Sequence, residues 1–460
     1  KVAGEKILHA SVKLHCAMLA AVGKKTKSGE LLFSADIRCA LWENFIDNAL
    51  PACLLNASDE VTQLVKIATL RCLSETTEIV VADLQNSSNG FARIKSVFEA
   101  PLDILRESRR QYPSATRAEA MKTLASLLIL DPKYFSVQEV LSSAFICVEK
   151  SMHQERTSQD FSKTLETNAS LCAANIALCI SRIDDESDIT KSLSAKLTSS
   201  FYDWSVSKGD KVRANLARGL GYVAKMRNLE DDALEQICEA LLSCASTGSV
   251  KTQWNSCVAI KILFENELAL TKKTFSSRGN NAGVMLTRLL LTLIKTSENF
   301  KIRRESLAAV SKVSRTFLND RNSFCYIDCV RVVLEALVQS EKQLELNVDE
   351  VVLSIPARAK YMEELKTQTA STFIHLLSIG GSDNVKDAEC ARILQEHLPK
   401  VKVTIKNALN NGDDEKLFLK AQSFLDSLEN HQSHREVVLQ NREENKIEAT
   451  EEQTNSNNKK

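Results

Sequence analysis

Five stretches of this chain can be laid beneath one another: ATRAEAMKTLASLL (115–128), TLETNASLCAANIA (164–177), KVRANLARGLGYVA (211–224), KTQWNSCVAIKILF (251–264) and KIRRESLAAVSKVS (301–314). Each carries a polar reference residue, in turn Glu119, Asn168, Asn215, Asn255 and Glu305. Four residues further on stand Thr123, Cys172, Gly219, Ala259 and Ala309, all small. Five and eight further on, every copy is apolar: Leu124/Leu127, Ala173/Ile176, Leu220/Val223, Ile260/Leu263 and Val310/Val313. These offsets fall on one stripe of a 3.6-residue helix. Small side chains at a fixed place in the stripe admit a neighbouring helix at short range, and the larger ones fill the space beyond. A chain with this pattern folds by stacking units that bury one another's stripes.

The reference residues lie 40 to 50 apart, against the roughly 40–47 of HEAT and armadillo units. Segments between copies supply partner helices, as DALEQICEALLSCAST (232–247) does before the Lys251 copy. Gly (13) and Pro (6) are scarce, too few for the many turns of a strand fold. The pattern therefore predicts an all-α HEAT/armadillo-like α-solenoid, a right-handed superhelix of helical hairpins over 1–428. Asp210, Ser249 and Asn299 are placed to cap three of the helices, with Gly209 and Gly248 in the same turns. Ser34 is placed to cap a helix over 34–50 with a stripe of Ile37, Leu41 and Phe45. Residues 57–84 read as one long helix or a broken pair, 357–379 as one helix stopped by Gly380-Gly381, and 415–428 as the last element. KKTFSSRGNN (272–281) begins an insertion loop of about 272–283. Residues 429–460 are too polar to offset ordering entropy and read as a disordered tail.

Lys+Arg and Asp+Glu balance at 59 each, which argues against nucleic acid as a ligand, because phosphate binding favours a basic excess. The longest apolar runs, SLCAANIALCI (170–180) and RLLLTLI (288–294), are shorter than the ~20 residues of a membrane span. Nothing at the start reads as a signal peptide, and an opening on Lys1 rather than Met leads us to expect a C-terminal piece of something longer. Thirteen cysteines, among them Cys72, Cys147, Cys172, Cys179, Cys238 and Cys244, sit in apolar helical contexts as small hydrophobes. Cys325/Cys329 and Cys172/Cys179 have helical rather than zinc-site spacing. That usage places the chain in the reduced interior of a cell, cytoplasm or nucleus.

No GxSxG, P-loop, HExxH or GxGxxG occurs. His431 and His434 have no neighbouring ligands to complete a metal site. His9, His15 and His375 read as structural, and Asp184-Asp185-Glu186 and Asp231-Asp232 as solvated turns. No enzyme, cofactor, metal or small-molecule substrate is expected.

The suggestive surface is a ladder: Lys211, Lys251 and Lys301 four before the reference, Arg213, Gln253 and Arg303 two before, Asn215 and Asn255 at it, with Trp254 beside. If the units stack in register these residues form a file able to grip an extended or acidic segment of a protein partner. The same residues can equally pair with adjacent turns and only fix the stacking. Both readings stand at this stage. The chain is expected to be a non-catalytic scaffold or adaptor, with a regulatory subunit or karyopherin-like transport receptor as the alternative.

DKVRANLARGLGYV, GSVKTQWNSCVAIKILFENELAL and SENFKIRRESLAAVSKV, together about 205–320, resemble the C-terminal half of the HEAT repeat-containing protein 6 family. The resemblance implies an armadillo-like solenoid without catalytic activity and supplies no catalytic residues. Thr252-Gln253 stands where that family has Val-Arg, and Lys261 where a small residue or Asn is expected, so the basic rung is weaker there. Trp254 and Asn255 are neighbours, which departs from the W-x-x-x-N ladder of nuclear-import armadillo proteins.

Overall fold

A stripe of small and apolar residues every third or fourth position, with few Gly or Pro to interrupt it, leaves helix as the only regular structure. The computed structural model describes residues 33–52, 60–84, 89–107, 112–134, 137–153, 162–183, 188–226, 229–276, 282–313, 323–349 and 356–380, with scattered residues of 10–21 and 392–405. Among the described residues there is no strand. The chain groups into two compact units, Lys1–Thr274 and Phe275–Lys460.

In the first unit, α1 (Ala35–Asn44) runs through a π-helical turn (Phe45–Ala49) and is followed by α2 (Glu60–Leu84). The hairpins come next: α3 (Gly90–Arg106) with α4 (Ser114–Leu127), α5 (Val137–Met152) with α6 (Lys163–Ile180), α7 (Asp188–Ser207) with α8 (Asp210–Ala224), and α9 (Asp231–Thr247) with α10 (Val250–Glu265). Helices α2, α4, α6, α8 and α10 pack in sequence as one row, and α3, α5, α7 and α9 as a second. The other unit repeats the layout with α11 (Ala282–Thr296), α12 (Phe300–Val310), α13 (Ser323–Asp349) and α14 (Pro356–Gly380), in which α12 lies on α14 and α11 on α13. This is the expected HEAT/armadillo-like α-solenoid architecture.

The small residues do what their place in the stripe requires. Gly219, Ala259 and Ala309 are all buried. A Cβ on Gly219 would lie 2.7 Å from the Phe201 ring and 3.1 Å from the Cα of Ala174; one on Gly221 would lie 3.0 Å from the Cα and Cβ of Ala259. Helix α8 therefore meets α6 on one side and α10 on the other backbone against backbone. Leu216, Leu220, Val223, Ile260 and Leu263 fill the core beside these contacts.

Carbonyls left over at the helix ends are capped by the following unit. Asn175 Nδ2 donates to Ala125 O at 2.7 Å and Arg182 Nη1 to Ile129 O at 2.6 Å. Asn266 Nδ2 donates to Ala224 O at 2.8 Å and Met226 O at 3.0 Å. In the second unit His375 Nε2 donates to Val313 O at 3.1 Å.

Several local expectations shift. Of the proposed caps only Asn299 bonds its own helix, accepting from Lys301 N and Ile302 N at 3.0 and 3.4 Å. Gly209 is the N-cap of α8, and Asp210, one residue inside, accepts from Ser249 N across the joint at 3.4 Å. Ser249 and Ser34 make no side-chain capping bond. Of the expected stripe Phe45 is buried, Leu41 half-buried and Ile37 exposed, and Trp42 completes the core of α1 and its extension. Residues 60–84 form one helix, and 357–379 fall within α14. Lys273–Ser276, expected in the insertion loop, is a helical turn, because Phe275 is buried and Thr274 bonds Asp231 at 3.3 Å. Residues 277–281, 415–428 and 429–460 lie outside the described residues, as do His9, His15, His431 and His434.

No helix among the described residues is long and apolar enough to cross a membrane. The described cysteines are free thiols. Burial pushes Cys238 and Cys179 up to about 12 and raises Cys172 further.

Candidate partner-binding surface

The reference residues sit on the seam between successive helices. Asn168 Nδ2 donates to Ala118 O at 2.7 Å, Asn215 Nδ2 to Thr167 O at 3.2 Å and Ser170 Oγ at 3.0 Å, and Asn255 Nδ2 to Ala214 O at 2.7 Å. Each amide thus reaches the carbonyl that stands just before the reference residue of the preceding unit. The step is the same at three successive joints. Where the reference is glutamate, an arginine takes part: Arg71 Nε donates to Glu119 at 3.1 Å, and Arg304 bridges Glu305 at 2.6 Å and Glu364 of α14 at 3.1 Å. The amide nitrogens that a ligand's main chain would need are engaged inside the stack.

The position two before the reference reaches the following hairpin. Arg213 Nη2 donates to Ser243 O at 3.1 Å and Thr247 Oγ1 at 2.9 Å near the end of α9, with Asp210 3.8 Å away. Its counterpart in α6, Glu166, is buried and pairs with Lys208 at 3.0 Å, whose ammonium also donates to Met152 O. Gln253 is half-buried. Arg303, in the second unit, differs: it is half-buried and has no carboxylate or hydrogen-bond partner among the described residues. Burial pulls its guanidinium below the usual arginine range.

Lys211 and Lys251 are exposed in the first turns of the adjacent helices α8 and α10 and make no ion pair among the described residues. Their charges add to the positive helix ends. Lys301 is exposed at the matching place in α12, in the second unit. Trp254 is half-buried on α10. The residues named from sequence thus divide into fasteners between successive units (Arg213, Asn215, Asn255) and outward-facing cations (Lys211, Lys251, Lys301), with Gln253, Trp254 and Arg303 half-covered.

The stripe that sequence reasoning passes over lies beyond the seam. Three residues after the reference come Leu171, Arg218 and Val258; seven after, on α8 and α10, come Tyr222 and Ile262. All are exposed or half-buried. Arg218 Nε donates to the Tyr222 hydroxyl at 2.8 Å, and its guanidinium carbon lies 5.5 Å from the ring centroid. The signal was available in the repeat: the outward side of a stripe whose inward side was already read.

The sequence matches no model of a known protein family. Among solved structures the chain is similar to an engineered protein (13% identity over 90% of this chain and 98% of the other, TM-score 0.46). A chain from a study of the cadherin–β-catenin interaction gives 11% identity over 90% and 91%, TM-score 0.41. Kap121p bound to RanGTP gives 11% identity over 91% of this chain and 51% of that one, TM-score 0.37, so this chain spans about half of Kap121p. Likenesses this distant add nothing to the helical stacking described above, which stands on the structure alone.

Proposed function

We propose that this chain is a non-catalytic protein-binding scaffold that offers basic edges of its helical stacks to an acidic segment of a protein partner. Arg303 carries the reading. A half-buried guanidinium is costly to leave without a counter-ion, whereas its repeat counterpart Arg213 bonds Ser243 O and Thr247 Oγ1 on α9 of the next hairpin. A partner carboxylate would supply what Arg303 lacks. The exposed Lys211 and Lys251 extend the same chemistry to the first unit. The buried thiols are too far raised to act as nucleophiles, and His375 is held on a backbone carbonyl, which supports a non-catalytic role. The resemblance to the HEAT repeat-containing protein 6 family points the same way. Free buried thiols support a place in the cytoplasm or nucleus.

The test is affinity purification of the tagged chain with quantitative mass spectrometry. Lys211→Ala/Lys251→Ala/Arg303→Gln should lose a reproducible set of partner proteins at unchanged melting temperature. Arg213→Ala should instead lower stability by about 1–2 kcal/mol and leave capture intact. A partner set unaffected by the triple change refutes the reading. One that turns over with the nucleotide state of a transport GTPase would identify a transport receptor instead.

A further inference from the structure

We infer that the face to which Lys211 and Lys251 belong, the outward side of α6, α8 and α10 beyond the seam, binds an extended acidic peptide of the pattern apolar-x-x-acidic-x-x-apolar. The inference rests on the protein-binding reading and specifies the partner's chemistry.

The register fixes which side chains lie abreast. Asn215 and Asn255 make the same one-step bond at the α6/α8 and α8/α10 joints. Gly219 against Ala174 and Gly221 against Ala259 hold both joints at backbone contact. Residues of equal offset are therefore neighbours across the three helices. Leu171, Arg218 and Val258 make one such rank, apolar, cationic, apolar, each exposed or half-buried. Trp254, Tyr222 and Ile262 border it on α8 and α10.

The face is cationic although the chain as a whole is neutral. Lys211, Lys225, Lys251 and Lys261 make no ion pair among the described residues, and Arg218 is held by the Tyr222 hydroxyl and ring rather than by a carboxylate. The carboxylates of α6, α8 and α10 are three: Glu166, buried against Lys208, Asp210, which accepts from Ser249 N, and Glu265 at the far end of α10. The acids of this part of the unit cluster instead on α9 of the other row, at Asp231, Asp232, Glu235 and Glu239. A field so divided attracts acidic ligands to one side.

Geometry selects the spacing. Packed helices lie about 8–10 Å apart, and an extended chain advances about 3.3–3.6 Å per residue. A peptide crossing the row therefore places every third residue over an equivalent position. Its carboxylate meets the guanidinium of Arg218, a geometry suited to a two-point bond, while apolar residues three before and three after lie on Leu171 and Val258. A nucleic-acid strand would need a cation at each step, and here apolar side chains flank the arginine.

The experiment is fluorescence anisotropy with the full chain and a labelled 12-residue peptide containing Leu-x-x-Glu-x-x-Leu. Beside it stand a permuted peptide of identical composition and a single-stranded oligonucleotide of equal length. The spaced peptide should bind about tenfold or more tightly than the permuted one, and Arg218→Glu should weaken it by about tenfold or more. Val258→Ser should weaken it a few-fold, with melting temperatures unchanged in both variants. Equal binding of the two peptides, indifference to Arg218→Glu, or preference for the oligonucleotide overturns the proposal. If no peptide binds while purification still retrieves partners lost on Arg303→Gln alone, this face is refuted and the scaffold reading survives. Peptide binding through Arg218 without such partners means the reverse.

Discussion

Gly219→Ala tests the close approach on which the stack depends. The added Cβ would stand 2.7 and 2.8 Å from two ring carbons of Phe201 and 3.1 Å from the Cα of Ala174, where carbon–carbon contacts are comfortable at about 3.5–4.0 Å. Phe201 is 0% exposed, so its ring has no open side to swing into. Replacing Gly by Ala inside a helix is favourable by about 0.8–1 kcal/mol. Overpacking a tight core costs about 1–3 kcal/mol. The clash wins, and Gly219→Ala should be less stable by about 1 kcal/mol, within a span of roughly 0–2. The cause is separable, because Phe201→Leu removes the ring atoms that the methyl strikes. A double-mutant cycle over the pair should return a coupling of about 1 kcal/mol. Urea unfolding of the four proteins, followed by far-ultraviolet circular dichroism with the slope held constant, measures it. A Gly219→Ala chain stabilised by its full helical preference, or one whose deficit is unchanged in the Phe201→Leu background, would refute the reasoning.

Three further outcomes are expected. Asn255→Ala removes the side-chain donor from Ala214 O, which keeps its in-helix N–H, and should lower the urea midpoint by the equivalent of about 1 kcal/mol, and Asn255→Asp, which sets a carboxylate against that carbonyl, should lower it more. Burial pulls the His375 imidazole below its ordinary range, so the unfolded chain takes up the proton first. Its contribution is complete above about pH 6.5 and declines as pH falls through that value; His375→Gln should flatten this part of the stability profile between about pH 7.5 and 5.5. Cys179 and Cys238, with thiols pushed up to about 12, should react with a thiol reagent at mildly alkaline pH only as fast as the protein opens. Prompt labelling of either in the native chain would contradict their burial.

The hairpins and their stripe are legible in the sequence because the demand for a small residue is absolute where backbones touch. Gly219, Ala259 and Ala309 admit no large replacement, so the pattern survives between copies that share little else. The destination of the polar residues is harder to read. Asn215 four residues before Gly219 has the same helical address as a surface asparagine. Only the register between α6 and α8, which packing sets, turns its amide into Thr167 O rather than outward. Arg213 depends likewise on where α9 ends. Asp210 against Gly209 is a one-residue question of cap geometry that hydropathy does not resolve, and the bond from Ser249 N gives Asp210 a partner 39 residues away. Phe275 fails for a different reason: a single apolar residue among Lys, Ser and Gly carries no periodic signal, yet its burial is enough to hold a helical turn.

Each of Asn168, Asn215 and Asn255 makes a seam bond to a main-chain oxygen, which every residue possesses. A unit that keeps its own amide and its own small residue can therefore sit on almost any predecessor. Duplication, loss or exchange of whole units would leave the joints intact, and side chains elsewhere would be at liberty to diverge. On this account the chain's ancestry is written in its fasteners, and selection for a particular partner is to be sought in what the fasteners leave alone.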